Sequence, residues 1–332
     1  MITPAIQIHN LTKRFRTYRK KPGLKGAIQG LFHREYDETI AANEISFSVQ
    51  PGEFLGFLGP NGAGKTTTLK MLSGLLHPSS GSATVLGFNP SDREKDFKKR
   101  FSLVMGQKNA LWWDLAAADS LELSRVIYQI ESSVYQKRLE ELTELLDVKD
   151  KLNILVRELS LGERMKFELI NALIHSPEVL LLDEPTIGLD VTSQKKVRDF
   201  LKAYNETHKV TILLTSHYMQ DIEELCARVI LIDQGKLHYD GSLSGIVEKF
   251  SGTKIIQMHL QQPLRTPIPK HWGEVLESSD LLLKLKVPRD QISDVCREIL
   301  AQTTLSDITI AEVPIEEIMR QLFGEQKTLV SK

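Results

Sequence analysis

The chain has 332 residues, 41% hydrophobic and 26% charged, with two cysteines and a formal net charge of −1. These values suit a folded globular protein with room for one large and one small domain, and they exclude a disordered or disulfide-framed chain. The longest charge-free segment, Met71 to Ser91, is interrupted by His77-Pro78-Ser79-Ser80-Gly81. It therefore falls short of the ~18 apolar residues that a membrane-spanning helix needs, and neither such a helix nor a secretory leader is expected. Cys226 and Cys296 lie far apart with no metal-ligand spacing, which reads as two reduced core thiols. Charge is unevenly spread: residues 1–34 hold eight of the 42 basic residues and none of the 43 acidic ones. Such a concentration points to an anionic partner, lipid headgroups or nucleic acid.

In chain order, Ala5-Ile6-Gln7-Ile8 alternates as a strand. An unusual segment follows between Thr17 and Tyr36. Leu24, Ala27, Ile28, Leu31 and Phe32 fall at i, i+3, i+4, i+7 and i+8, one face of an amphipathic helix over 22–35. With Pro22-Gly23 before it and basic residues around it, this is either a surface helix packed on its own domain or an interfacial helix against a membrane partner. Glu44 to Val49 is a second strand, and Pro51-Gly52 turns the chain into the apolar strand Phe54-Leu55-Gly56-Phe57-Leu58.

That strand leads into Gly59-Pro60-Asn61-Gly62-Ala63-Gly64-Lys65-Thr66-Thr67, which fits the pattern G-x-x-x-x-G-K-[ST], and Lys65 to Leu75 reads as a helix. Strand, glycine loop and helix are what phosphate binding requires. Glycines let backbone N–H groups turn onto phosphate oxygens, and the helix N-terminus adds the positive end of its dipole. Lys65 would then neutralise the terminal phosphates of a nucleoside triphosphate and the Thr66 hydroxyl would reach Mg²⁺.

Thr84-Val85-Leu86 and Phe101-Ser102-Leu103-Val104 are further expected strands, with a helical subdomain over about 107–176. Asp119-x-x-Glu122 and Ser133-x-x-Gln136 read as capping boxes that open its helices. Apolar strands resume at Val179 to Leu182, Val210 to Leu214 and Val229 to Ile232, as in a parallel sheet covered on both faces. The first ends in two adjacent carboxylates, Asp183 and Glu184. At that position in a phosphate-loop enzyme an Asp holds Mg²⁺, and its neighbour, pointing the other way, can orient or deprotonate water. Composition changes near Ser251-Gly252, where a linker is expected. Beyond it come strands at Ile255–Leu260, Leu281–Val287 and Asp307–Val313, with helices at Asp290–Leu300 and Ile315–Phe323. The expected domains are 1–245 and a small α/β domain over 253–326.

These motifs in this order resemble the ATP-binding subunits of ABC transporters, over roughly residues 1–245. The resemblance implies a phosphate-loop α/β fold with a mixed sheet core, ATP and Mg²⁺ as ligands, and ATP hydrolysis. It also implies particular roles. Gln107 resembles the glutamine that touches Mg²⁺ and the attacking water. Gly188-Leu189-Asp190 resembles the loop that crosses between two subunits, and His217 the switch histidine at the γ-phosphate. Leu159-Ser160-Leu161-Gly162-Glu163 stands where Leu-Ser-Gly-Gly-Gln is usual. Ser160 and Gly162 are retained for the partner's ATP, Leu161 and Glu163 depart, and Ser160-x-x-Glu163 is also a capping box. Tyr36 is favoured over Phe15 and Tyr18 as the residue stacked on adenine.

The implied setting is a peripheral homodimer, or dimer with a close paralogue, on the cytoplasmic face of the membrane, driving a separate permease. The inserted helix and the tail favour export. A soluble ABC ATPase acting on nucleic acid or ribosomes is the rival; the basic N-terminus supports it, but one phosphate loop and no sustained heptads speak against it. Residues 253–320 carry a single aromatic, Trp272, too few for a sugar-binding platform, and the tail looks more like that of drug-export ATPases.

One expectation follows for the inserted segment. Each basic residue near an anionic leaflet adds up to ~1 kcal/mol, so membrane binding by this short stripe alone should be weak and salt-sensitive. Replacing Leu31 and Phe32 by Asp should leave ATP hydrolysis by the isolated subunit intact while uncoupling it from transport. Loss of intrinsic hydrolysis or of folding would instead make the stripe core packing.

Overall fold

The computed structural model describes residues 3–18, 36–106, 108–263, 267–315, 317 and 318. The expected helix over 22–35, Gln107, and most of the expected terminal helix lie outside the described residues. The chain divides into two compact units, Met1–Asp240 and Gly241–Lys332.

The first unit is built on two sheets. Strands β1 (Ile6–Tyr18), β2 (Tyr36–Val49) and β4 (Ser80–Val85) form an antiparallel sheet in the order β2-β1-β4. The second sheet contains β3 (Phe54–Leu58), β5 (Phe101–Met105), β6 (Val179–Asp183), β7 (Thr211–Thr215), β8 (Arg228–Asp233) and β9 (Lys236–Ser242), in the order β5-β6-β7-β3-β8-β9. Strands β5 through β8 of that order run parallel. All five residues of β3, β6 and β7 are buried, which explains why these strands read as unbroken apolar runs.

Between the two sheets lies one continuous core. It joins Ile6, Ile8, Ile45, Phe47 and Val49 of the smaller sheet to Leu55, Phe57, Leu181, Leu213 and Ile230 of the larger. The Phe47 and Phe57 rings sit 5.6 Å apart, centroid to centroid. Helix α1 (Lys65–Leu72) contributes Leu69, Met71 and Leu72. This burial anchors both ends of the glycine loop, since β3 enters it and α1 leaves it.

Helices α2 (Lys95–Arg100), α3 (Ala117–Tyr128), α4 (Ser132–Leu145), α5 (Leu161–Leu173), α6 (Val191–His208) and α7 (Met219–Leu225) complete the unit. Two expected caps are corrected. The N-cap of α3 is Ala116, so Asp119 lies inside the first turn rather than opening it. In α4 the cap is Glu131, whose carboxylate accepts the Ser133 N–H at 3.2 Å. A Ser/Thr/Asp-x-x-Glu/Gln spacing is equally compatible with first-turn positions, where acidic residues are favoured by the dipole.

In the second unit α8 (Leu243–Phe250) precedes a four-stranded antiparallel sheet. Its strands are β10 (Thr253–Leu260), β11 (Glu274–Ser278), β12 (Leu282–Pro288) and β13 (Leu305–Glu312), ordered β11-β12-β10-β13. Helix α9 (Ile292–Gln302) packs Val295 and Ile299 into a core with Ile256, Met258, Leu283, Leu285, Val287 and Trp272. At the expected linker, Ser251-Gly252, the chain is tied to the second unit. Ser251 is buried, its hydroxyl donates to the Thr253 carbonyl, and its own carbonyl accepts from Arg289.

Trp272 is fully buried and its indole N–H donates to Glu298 Oε2 at 2.7 Å, so it is the anchor of this small core and not a ligand platform. Trp272→Ala should destabilise the C-terminal unit by about 3–5 kcal/mol, the usual cost of a large-to-small change at a buried aromatic. A denaturation midpoint for that unit unchanged from the parent would refute the assignment.

Candidate functional site

The loop Gly59 to Thr67 sits between β3 and α1, at the carboxyl edge of the parallel sheet, the edge at which such sheets bind ligands. Gly64 is the N-cap of α1 with φ 106°, and a Cβ there would lie 2.0 Å from the Ala41 carbonyl oxygen. Both the dihedral and the clash demand glycine. Ala63 N donates to Pro60 O at 3.1 Å and closes the loop.

Lys65 is buried, and its Nζ donates to the carbonyls of Gly59 at 2.6 Å and Pro60 at 3.1 Å. Burial lowers the lysine pKa from its ordinary value, while the carboxylates of Glu184 and Asp183 oppose that shift. The side chain is thus drawn across the mouth of its own loop. Thr66 and Thr67, in the first turn of α1, are half-buried.

The two carboxylates diverge, as consecutive residues at a strand end should. Asp183 is buried at the end of β6, and its Oδ1 accepts from Thr215 Oγ1 at 2.7 Å. Glu184 leaves the strand with φ 57°, a left-handed conformation uncommon for a residue with a side chain. Its N–H donates to the Thr215 carbonyl at 3.0 Å, and its Oε1 lies 2.8 Å from His217 Nε2. Gly106 donates its N–H to Asp183 O at 2.8 Å, and a Cβ on Gly106 would come within 2.1 Å of the Glu184 carbonyl oxygen.

Thr66, Lys70, Met105, Gly106, Lys108, Asp183 and Glu184 line one cleft of about 140 Å³. A threonine hydroxyl and a buried carboxylate are hard oxygen donors. Mg²⁺ is commonly held by one or two carboxylates together with substrate phosphates, and the donor set fits it. Among the described residues no cluster of three or more His, Cys, Asp or Glu could hold a metal ion.

The remaining expected residues are placed as follows. Ser160 caps α5: its hydroxyl accepts the Glu163 N–H at 3.3 Å and Glu163 Oε2 accepts the Ser160 N–H at 2.9 Å, so the capping box is real. Those hydrogen bonds hold the Glu163 carboxyl below its usual range. Asp190 caps α6, accepting from Ser193 N at 3.0 Å and Ser193 Oγ at 2.6 Å. A Cβ on Gly162 would meet Ser193 Oγ at 2.6 Å, so the two helix starts abut through that glycine. Leu161 is exposed and lies over Gly188, whose Cβ position is 3.1 Å from Leu161 Cδ2. Tyr36 begins β2, exposed, and Phe15 is also exposed on β1. Neither Tyr36 nor Ser160 through Glu163 nor Asp190 lines the cleft, and Gln107 lies outside the described residues.

Thr215 and Gly106 escaped the sequence reading. The signal for Thr215 is a polar residue closing an apolar strand, Thr-Ile-Leu-Leu-Thr. Gly106 carries none, because its neighbour Glu184 is remote in sequence.

Comparison with known proteins agrees with this geometry. Residues 42–187 match the ABC transporter family, and residues 252–311 match the C-terminal domain of EvrA-like ABC transporters. The chain is 36% identical over 208 residues to the ABC transporter ATP-binding protein NatA of Bacillus subtilis, covering 63% of this chain and 84% of that one. It is 34% identical to the Nod factor export ATP-binding protein I of Burkholderia pseudomallei, covering 70% and 76%. A dimeric ATP-binding cassette solved in a post-hydrolysis state with ADP and phosphate shares the fold, with TM-score 0.59, 23% identity, and coverage of 72% and 98%. The chain belongs to the ATP-binding subunits of ABC transporters, a family of ATPases.

Proposed function

We propose that this subunit closes with a second copy, or with a close paralogue, around two ATP molecules, and that closing and reopening drive a separate membrane permease. The observation that carries the reading is the cleft uniting Thr66, Asp183 and Glu184, with His217 Nε2 2.8 Å from Glu184 Oε1. Lys65 and the N–H groups of the loop bind the phosphates. Thr66 and Asp183, with Gln107 expected from the sequence, hold Mg²⁺, which neutralises phosphate charge when bound. Glu184 takes the proton from the attacking water, and His217 fixes the orientation of that carboxylate. Ser160 and Gly162 of the partner subunit present a helix N-terminus to the same phosphate. Tyr36 is our choice for the adenine.

Among the described residues no helix is long and apolar enough to cross a membrane. The family to which the chain belongs is the support for a peripheral place on the cytoplasmic face. The relative named for Nod factor export supports the export direction. The match of the tail to a transporter C-terminal domain supports transport over work on nucleic acid.

Glu184→Gln should retain ATP binding, slow hydrolysis by about 10²-fold or more, and accumulate an ATP-bound dimer. Near-normal turnover would remove Glu184 from the mechanism. Ser160→Arg should abolish hydrolysis with monomer ATP affinity nearly unchanged; equal loss of binding and hydrolysis would reduce Ser160 to a helix cap.

A further inference from the structure

Behind the Glu184–His217 pair lies a buried polar centre that none of the roles above uses. Asp221, on α7, is fully buried and accepts three hydrogen bonds. Its Oδ2 takes one from Thr186 Oγ1 at 2.5 Å and one from Ser216 Oγ at 2.6 Å; its Oδ1 takes one from Arg198 Nη1 at 3.0 Å. Thr186 and Arg198 are each 2% exposed and Ser216 is 8% exposed, so water does not compete for these contacts. Arg198, on α6, also donates to Glu224 at 3.0 Å. The charge of the buried carboxylate is therefore compensated, and its remaining acceptor capacity is spent on two hydroxyls.

The position of those hydroxyls matters. Thr186 comes two residues after Glu184, and Ser216 immediately precedes His217. The Ser216 hydroxyl also accepts the Tyr218 N–H at 3.0 Å, so the backbone on both sides of His217 is fixed through one side chain. Glu184 itself adopts a left-handed φ of 57°, which relaxes unless both flanks are held. Its near flank is held by Thr215 and Gly106. Its far flank is held by Thr186, with Gln194 Nε2 donating to Leu189 O at 3.2 Å further along.

We infer that Asp221 is a positioning residue: through Thr186 and Ser216 it joins the segment after Glu184 to the segment before His217 and so sets the separation of that pair. The inference rests on the proposed role of Glu184 in hydrolysis. No contact between Asp221 and substrate is needed. A shift of the pair by an ångström costs up to about 10²-fold in rate without altering phosphate binding.

The test uses the full chain, with ATP turnover at saturating ATP, ATP affinity, and unfolding midpoint read for each variant. Asp221→Asn leaves Arg198 without its full partner and can unfold the unit, so the milder Thr186→Val and Ser216→Ala carry the test. Each should lower kcat by about tenfold with ATP affinity within about twofold, and Thr186→Ser should restore turnover. In a Glu184→Gln background Thr186→Val should add less than about a twofold loss, because the group it positions is already disabled. Turnover by both hydroxyl variants close to the parent overturns the inference, as does a loss that multiplies with Glu184→Gln. If Glu184→Gln itself hydrolyses normally, the reading of the site falls, and the role of Asp221 falls with it. If Glu184→Gln is slow while Thr186→Val and Ser216→Ala are fast, only the role of Asp221 falls.

Discussion

The parallel pairing of β7 between β3 and β6 is the constraint on which the site depends. It sets the glycine loop at the end of β3 one strand away from the carboxylates at the end of β6. In that register Asp183 lies opposite Thr215, and the intervening strand supplies both a hydroxyl to Asp183 and a carbonyl to the Glu184 N–H. A slip of one residue would turn every side chain to the other face and break both contacts. The burial of β3, β6 and β7 on both faces is what makes such a slip costly, so the core and the chemistry share one cause.

That division also explains what the sequence disclosed. Continuous apolar strands and the glycine loop are local patterns, and they gave the parallel sheet, the loop and the strand-end acids directly. Contacts across long sequence separations were not legible: Gly106 against Glu184, Thr215 on Asp183, and Asp221 joining Thr186 to Ser216 each need the fold before they can be seen. Exposed edges were missed for another reason. All five residues of β11 are exposed, so no alternation marks it as a strand. The caps of α3 and α4 were misread by a few residues because first-turn acids and caps share one spacing.

The departures in Leu159 to Glu163 find a physical account. Glu163 places no uncommitted charge at the start of α5. One oxygen completes the capping box and the other lies 3.7 Å from Lys151 Nζ. Leu161 leans one methyl on the loop at Gly188 while its side chain stays exposed. The turn is therefore held by its own capping bonds, and neither departure leaves a charge or a side chain without a local contact.

Lys65 has a final implication. Its ammonium holds two carbonyls of the loop, so two of its three donors are committed to the protein itself. Hydrogen bonds from a charged donor are about twice as strong as neutral ones, and these two brace the glycine loop from within. The side chain that brings positive charge to the loop is thus also the one that holds the loop's shape.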